Sequence, residues 1–182
     1  MLVLSIMLLV SCHAVYFLLR TKTNFSVTME QKNGLSFNCA ESVLIGVQKN
    51  HSVPGCQTSC MKVASVLGGG IAGSGEVCGA ASGGVICLGL SGGTNGSETP
   101  DVFKDKRGAI RPVVQEFLQE FEACWGSVRC SDLIAMDKGE QDPKGNLRAN
   151  AGSIQNHCDD YVKWSTEKII LLLDDWKKNS LT

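Results

Sequence analysis

The chain has few aromatic residues and almost no imbalance of charge. Aromatic residues make up 6% of its 182 residues, and the formal net charge is −1 at pH 7. Domains that bind nucleic acid usually carry a basic patch or stripe. This composition therefore gives no reason to expect a nucleic-acid partner or an acidic substrate. Alternating apolar and polar runs are also absent, so a large sheet is not expected.

Recognisable enzyme motifs are missing as well. The three histidines are scattered, and no Ser–His–Asp order, pair of catalytic acids or phosphate-binding loop stands out. The run Gly68–Gly73 formally fits the dinucleotide pattern G-x-G-x-x-G, but that pattern needs a parallel strand after its helix. The residues after Leu90 form a Gly/Ser-rich loop instead. Nothing in the sequence names a substrate, and whether the protein is an enzyme is left open.

Glycine and cysteine are present in excess, with 20 glycines and nine cysteines. Abundant glycine suits closely packed helices, because a residue without a side chain allows a neighbouring backbone to approach. Nine cysteines indicate disulfides in a secreted protein, and metal or redox chemistry in a cytosolic one. The compartment therefore decides how the cysteines are interpreted.

Residues 1–20 form an apolar leader. Leu2–Leu19 is an almost unbroken apolar run near the lower length limit of a membrane-spanning helix. Arg20 and Lys22 follow it and no positive charge precedes it, the reverse of a signal peptide. We expect either a membrane anchor that leaves the domain in the cytoplasm or a mis-annotated start, with translation beginning at Met29. Both interpretations place the domain in a reducing compartment.

After a polar linker over residues 21–36, the pattern predicts one helical domain over residues 37–182. Asn38 followed by Glu41 is typical of a capping box, so a helix should begin at Cys39. Its apolar face has helical spacing and consists of Ala40, Val43, Leu44 and Val47.

Three further helices are expected towards the C-terminus. One runs over Asp101–Trp125, with a kink or fresh start at Pro112 and an end at Gly126. A short helix follows Cys130, and the last helix starts near Ser153. The predicted fold class is all-α: a compact helical domain with a glycine-rich central helix, preceded by an apolar N-terminal helix.

The central helix of this prediction covers Glu76–Leu88 and begins inside the glycine-rich run Leu67–Gly84. Ser74 is a good N-cap residue, and Cys78 would then lie in the first turn, where the positive helix end favours a thiolate. Gly79 and Gly83 are one turn apart and would form a smooth strip beside Cys78. Such a strip admits a neighbouring backbone or a cofactor.

Four separated cysteines each fall at or near a predicted helix start. Positive helix ends favour thiolates, so four such helices could bring four thiolates to one point. Four thiolates can bind zinc or an iron–sulfur cluster, and two can cycle as a redox disulfide. We predict that they converge on one site, walled by Gly79 and Gly83, and that they are Cys39, Cys78, Cys130 and Cys158.

This cysteine arrangement resembles the redox-active protein family named for its C…GCAxxG…C…C pattern. The matching segments are Asn38–Val43, Gly75–Gly83, Cys130–Leu133 and Cys158, within a region from about Phe37 to the C-terminus. One departure is that Gly79 stands between Cys78 and Ala80. The resemblance implies a helical domain with redox-active or metal-binding cysteines.

The similarity of that family to a domain of split-Soret-type cytochromes further implies an iron–sulfur cluster on the four cysteines, used for electron transfer with a partner protein. The chain lacks the C-x-x-C-H sequence that attaches haem, so haem is not implied. A metal-free thiol–disulfide oxidoreductase and a structural zinc module are the alternatives. Five cysteines lie outside the pattern: Cys12, Cys56, Cys60, Cys87 and Cys124.

Overall fold

The computed structural model describes residues 31–32, 34–53, 55–56, 58–139 and 157–179. The apolar leader and Ser153 lie outside these residues, so the leader helix and its membrane attachment stay predictions. Within the described ranges, no helix combines the length and the apolar character needed to span a membrane.

The described part of the chain is mostly helical, as predicted. A two-stranded antiparallel hairpin of β1 (Gln31–Lys32) and β2 (Leu35–Ser36) lies in the segment predicted as a linker. Six helices follow it in the described ranges: α1 (Cys39–Asn50), α2 (Thr58–Ala64), α3 (Gly79–Gly92), α4 (Pro100–Trp125), α5 (Cys130–Asp137) and α6 (Cys158–Asn179).

Helix α3 is the central element and packs against α1, α4 and α6. Its glycines make this possible. A Cβ atom on Gly83 would lie 2.8 Å from the carbonyl oxygen of Ala40 in α1, and one on Gly84 would lie 2.5 Å from Phe117 in α4. Neither distance leaves room for a side chain. The predicted glycine-rich central helix is confirmed.

The hydrophobic core surrounds α3. From α4, the buried rings of Phe117 and Phe121 contact Trp164 of α6, with ring centroids 5.9 and 5.6 Å apart respectively. The apolar face predicted for α1 is fully buried and consists of Ala40, Val43, Leu44 and Val47.

Helix α4 is continuous and ends at a glycine. The helix continues through Pro112 to Trp125 as one element, so there is no fresh start at the proline. Gly126 ends it in the left-handed conformation, with φ of +89°, as predicted.

Asn38 fixes the start of α1. Its Oδ1 accepts hydrogen bonds from the backbone N–H groups of Ala40 (2.9 Å) and Glu41 (3.0 Å), and Glu41 Oε2 accepts one from the Asn38 backbone (2.8 Å). This is the predicted capping box. The Asn38 amide also donates to the carbonyl oxygens of Ala64 (3.2 Å) and Ser65 (3.1 Å). One side chain therefore ties α1 to the chain around the end of α2.

We expect Asn38→Ala to lower the free energy of unfolding by about 1–2 kcal/mol, because it removes both the cap and the amide donors. Asn38→Ser keeps a capping oxygen and loses only the amide donors, so its loss should be smaller. Denaturant unfolding of the three proteins measures the difference. If both variants lost the same free energy of unfolding, the capping oxygen of Asn38 would contribute nothing to stability beyond the hydrogen bonds of its amide group.

The predicted start of α3 at Ser74 is wrong. The helix begins at Gly79, and Cys78 is its N-cap residue. The preceding segment forms consecutive turns with left-handed backbone, which a right-handed helix does not allow. Its positive φ angles range from 52° to 78° and belong to Gly69, Gly70, Ile71, Ala72, Gly73 and Gly75.

Candidate functional site

Two paired backbone segments bring Cys78 and Cys130 together. The residues before α3 form an antiparallel bridge with those before α5. The N–H of Cys78 donates to the carbonyl oxygen of Val128 (2.8 Å), and the N–H of Cys130 donates to that of Glu76 (2.7 Å). Each segment leads directly into a helix, so both cysteines lie at helix starts.

Cys39 and Cys158 are the first residues of α1 and α6, and their side chains hydrogen-bond to each other. Asp137 at the end of α5 helps to fix the start of α6. Its Oδ1 accepts a hydrogen bond from the Tyr161 hydroxyl (2.8 Å), and its Oδ2 accepts one from the backbone N–H of His157 (3.3 Å). The prediction that each of the four cysteines lies at or near a helix start is confirmed.

All four cysteines line one cavity of about 370 Å³. They are free thiols; Cys78 and Cys130 are buried, whereas Cys39 and Cys158 are half-buried. Among the described residues, no side chain of the lining carries a formal charge. The other lining residues are Ser36, Phe37, Asn38, Gly69, Leu133, Ile134 and Tyr161.

The environment of Cys39, Cys78 and Cys130 favours the protonated form of their thiols. Burial raises the pKa of Cys78 to about 12, although the backbone N–H groups of Ala80 and Ala81 act in the opposite direction. The hydrogen bond with Cys158 raises the pKa of Cys39, and burial and the neighbouring cysteines raise it further. Burial also raises the pKa of Cys130. The helix start does favour the Cys78 thiolate, as predicted, but burial outweighs this effect, so Cys78 keeps its proton in the site without a cation.

We expect the cofactor-free protein to lose stability as the pH rises from about 9 towards 12. The pKa of Cys78 is raised from 9.0 to about 12 in the folded state, so the folded protein holds this proton more tightly than the unfolded chain does. The resulting stabilisation is complete below pH 9.0 and is lost as the pH approaches the folded-state value. Denaturant unfolding at a series of pH values, in reducing, metal-free buffer, measures the slope of the unfolding free energy against pH. Cys78→Ala should show a shallower slope, and an unchanged slope would contradict the assignment.

Gly79 and Gly83 do not line the cavity. This corrects the sequence prediction that both glycines border the four-cysteine site. A Cβ atom on Gly79 would lie 3.1 Å from Cys39 Cβ, and one on Gly83 would lie 2.8 Å from the Ala40 carbonyl oxygen. Both glycines therefore face α1, which occupies the space that was assigned to a cofactor. The glycine that does line the cavity is Gly69.

The four sulfurs match iron–sulfur chemistry by ligand type. Cys₄ is the ligand set of [2Fe–2S] and [4Fe–4S] clusters, and soft thiolates also bind zinc. In the described ranges, no three His, Cys, Asp or Glu side chains are arranged to hold a metal ion. The fit therefore rests on donor chemistry and on the shared cavity.

Asp137 and Gly69 were not predicted to belong to the site. Asp137 is buried and accepts hydrogen bonds from His157 and Tyr161. No spacing rule identifies such a carboxylate, because its partner Tyr161 is 24 residues away. His157, which precedes Cys158, is half-buried and pairs with Asp160 at 2.8 Å.

The fold and the site together define a small helical protein in which four cysteines at helix starts line one cavity. Residues 37–171 match the family described as "Putative redox-active protein (C_GCAxxG_C_C)", and the chain belongs to this family. The resemblance stated from the sequence is confirmed. Comparison with curated proteins and with solved structures gave no match.

Proposed function

We propose that this redox-active protein binds an iron–sulfur cluster through Cys39, Cys78, Cys130 and Cys158, and that it transfers electrons. The observation that carries the proposal is that four free thiols share one cavity whose described lining has no cationic side chain. Four thiolates there would repel one another and would be poorly solvated, so they need a bound cation. Helix ends contribute only about 0.3–1 kcal/mol each and do not suffice.

When bound, the cluster would supply one-electron chemistry, and the chain would set its surroundings. Leu133 and Tyr161 give the cavity an apolar side, which limits the access of water. Cys39 and Cys158 are more exposed than Cys78 and Cys130, so electron exchange with a partner should occur at their side of the cavity. Each thiol must lose its proton on ligation, so cofactor affinity should rise with pH.

Visible spectroscopy on protein purified without oxygen tests this proposal. We expect a brown protein whose visible absorption bleaches on reduction with dithionite and returns on mild oxidation. An iron chelator with an oxidant should remove the colour. A colourless protein after anaerobic purification and after incubation with iron and sulfide would contradict the proposal.

A second candidate function is thiol–disulfide exchange at Cys39 and Cys158. The observation in its favour is the hydrogen bond between these two half-buried side chains. Oxidation would form a bond between the two sulfurs and release two electrons and two protons to an oxidising disulfide. If this is the function, the purified protein should be colourless, and oxidation should reversibly remove two titratable thiols per chain.

We also propose that the protein is attached to a membrane and that it has a separate partner protein. The apolar run Leu2–Leu19, followed by Arg20 and Lys22, supports membrane attachment with the domain in the cytoplasm. A separate electron-transfer protein is the expected partner. Membrane fractionation of the full chain and of a chain starting at Met29 tests the attachment, since only the full chain should sediment with membranes.

A further inference from the structure

A second group of thiols lies outside the four-cysteine site. Burial and a hydrogen bond with the Cys60 side chain raise the pKa of Cys56. Burial, with a smaller contribution from Cys56 and Cys60, raises the pKa of Cys87 to about 12. All three are free thiols. None belongs to the four-cysteine pattern of the family, so the proposed electron-transfer site leaves them without a role.

The three cysteines lie where the start of α2 meets α3. Cys60 is in α2, Cys56 precedes that helix, and Cys87 is in the middle of α3. The loop before α2 packs onto α3, since a Cβ atom on Gly55 would lie 3.7 Å from the Leu90 side chain. Two segments distant in sequence therefore hold the thiols together.

Access to solvent differs among the three thiols. Cys56 is half-buried, Cys60 is 9% exposed and Cys87 is fully buried. The Cys60 sulfur donates a hydrogen bond to the carbonyl oxygen of Gly55 at 3.2 Å. Cys56 is therefore the thiol that an external reagent reaches first.

We propose that Cys56 and Cys60 form a reversible dithiol–disulfide pair that exchanges with low-molecular-weight disulfides. Cys56 is the attacking residue and Cys60 is the resolving residue. Cys87 stays reduced because it is closed off from solvent. This pair is a redox site separate from the four-cysteine cavity, and it does not depend on the function proposed for that cavity.

The exchange proceeds in two steps. Cys56 gives its proton to solvent, and its thiolate forms a bond to one sulfur of the external disulfide, whose other half leaves as a thiolate and takes up a proton. Cys60 then loses its proton and attacks the Cys56 sulfur, which releases the second half as a thiol. Overall, two protein thiols are oxidised to one disulfide, and one external disulfide is reduced to two thiols.

The sequence allows a direct measurement. Trypsin cleaves after Lys49 and Lys62, so one peptide over residues 50–62 contains both Cys56 and Cys60. The reduced full chain is equilibrated with mixtures of reduced and oxidised glutathione, quenched with N-ethylmaleimide and digested. We expect this peptide to change from doubly alkylated to an unalkylated form two hydrogens lighter, in a single step as the mixture becomes more oxidising.

Variants separate this site from the four-cysteine cavity. Cys87→Ala and Cys158→Ala should both retain the transition, whereas Cys56→Ala should abolish it. If Cys158→Ala retains the transition, disulfide formation between Cys56 and Cys60 does not depend on the cluster proposed for the four-cysteine cavity. A peptide that stays doubly alkylated in every mixture, or a main product that links Cys87 to either partner, would overturn the proposal. The wild-type peptide alone gives these outcomes if Cys56→Ala fails to fold.

Discussion

Replacing Cys158 with alanine is expected to lower bound iron and sulfide to less than about a tenth of the wild-type content. Cys158 lines the cavity and hydrogen-bonds to Cys39, so its loss removes one of four proposed ligands and breaks the contact between α1 and α6 at the site. Iron and acid-labile sulfide are measured per chain after anaerobic purification.

Cys87→Ala is the matched control for this experiment. Cys87 is also a free thiol, is fully buried, and lies in α3 away from the cavity lining. Its replacement should cost about 1 kcal/mol of stability and leave the iron content unchanged. Equal iron loss in both variants would indicate a general folding effect, and full iron in Cys158→Ala would exclude Cys158 as a ligand.

Gly83→Ala is expected to destabilise the protein by about 1–3 kcal/mol. The new Cβ would lie 2.8 Å from the Ala40 carbonyl oxygen and 3.0 Å from Val43 Cβ, so the backbone of α1 must move. A gain in helix propensity of about 1 kcal/mol offsets part of this loss. Because Ala40 follows Cys39, cofactor content should fall as well.

Gly89→Ala makes the same substitution in the same helix. Nothing lies within 4 Å of a Cβ atom there, so only the helix-propensity gain remains. Denaturant unfolding should show Gly89→Ala stabilised by about 0.5–1 kcal/mol. If Gly83→Ala were also stabilised, the close packing of α1 on α3 would be refuted.

The sequence predicted those parts of the fold that depend on local signals. The capping box of Asn38 and Glu41 determined where α1 begins, and Gly126 determined where α4 ends. Helical spacing identified the buried face of α1. Each of these features involves side chains within one or two turns of one another.

The predictions that were wrong concern the backbone conformation of glycines and interactions between distant segments. Ser74 has the residue type of an N-cap, but left-handed backbone at the surrounding glycines prevents a helix there. The sequence correctly predicted that Gly79 and Gly83 form a smooth strip on α3. Such a strip leaves space for either a helix or a cofactor, and the sequence does not determine which of the two occupies it. Packing with α1 decided that question.

The protonation of the thiols could not be predicted for the same reason. The helix start favours a thiolate at Cys78, but burial by the surrounding helices raises its pKa to about 12. Burial depends on the whole fold. The sequence located the four cysteines at helix starts, whereas the raised pKa values of Cys39, Cys78 and Cys130 follow from the fold.

The most direct test of the central claim is the ratio of iron and acid-labile sulfide to chain in protein purified without oxygen. We expect iron and sulfide in about equal amounts, as in [2Fe–2S] and [4Fe–4S] clusters. Negligible zinc should accompany them. A folded, colourless protein that contains neither iron nor sulfide, or that contains one zinc per chain, would contradict the account.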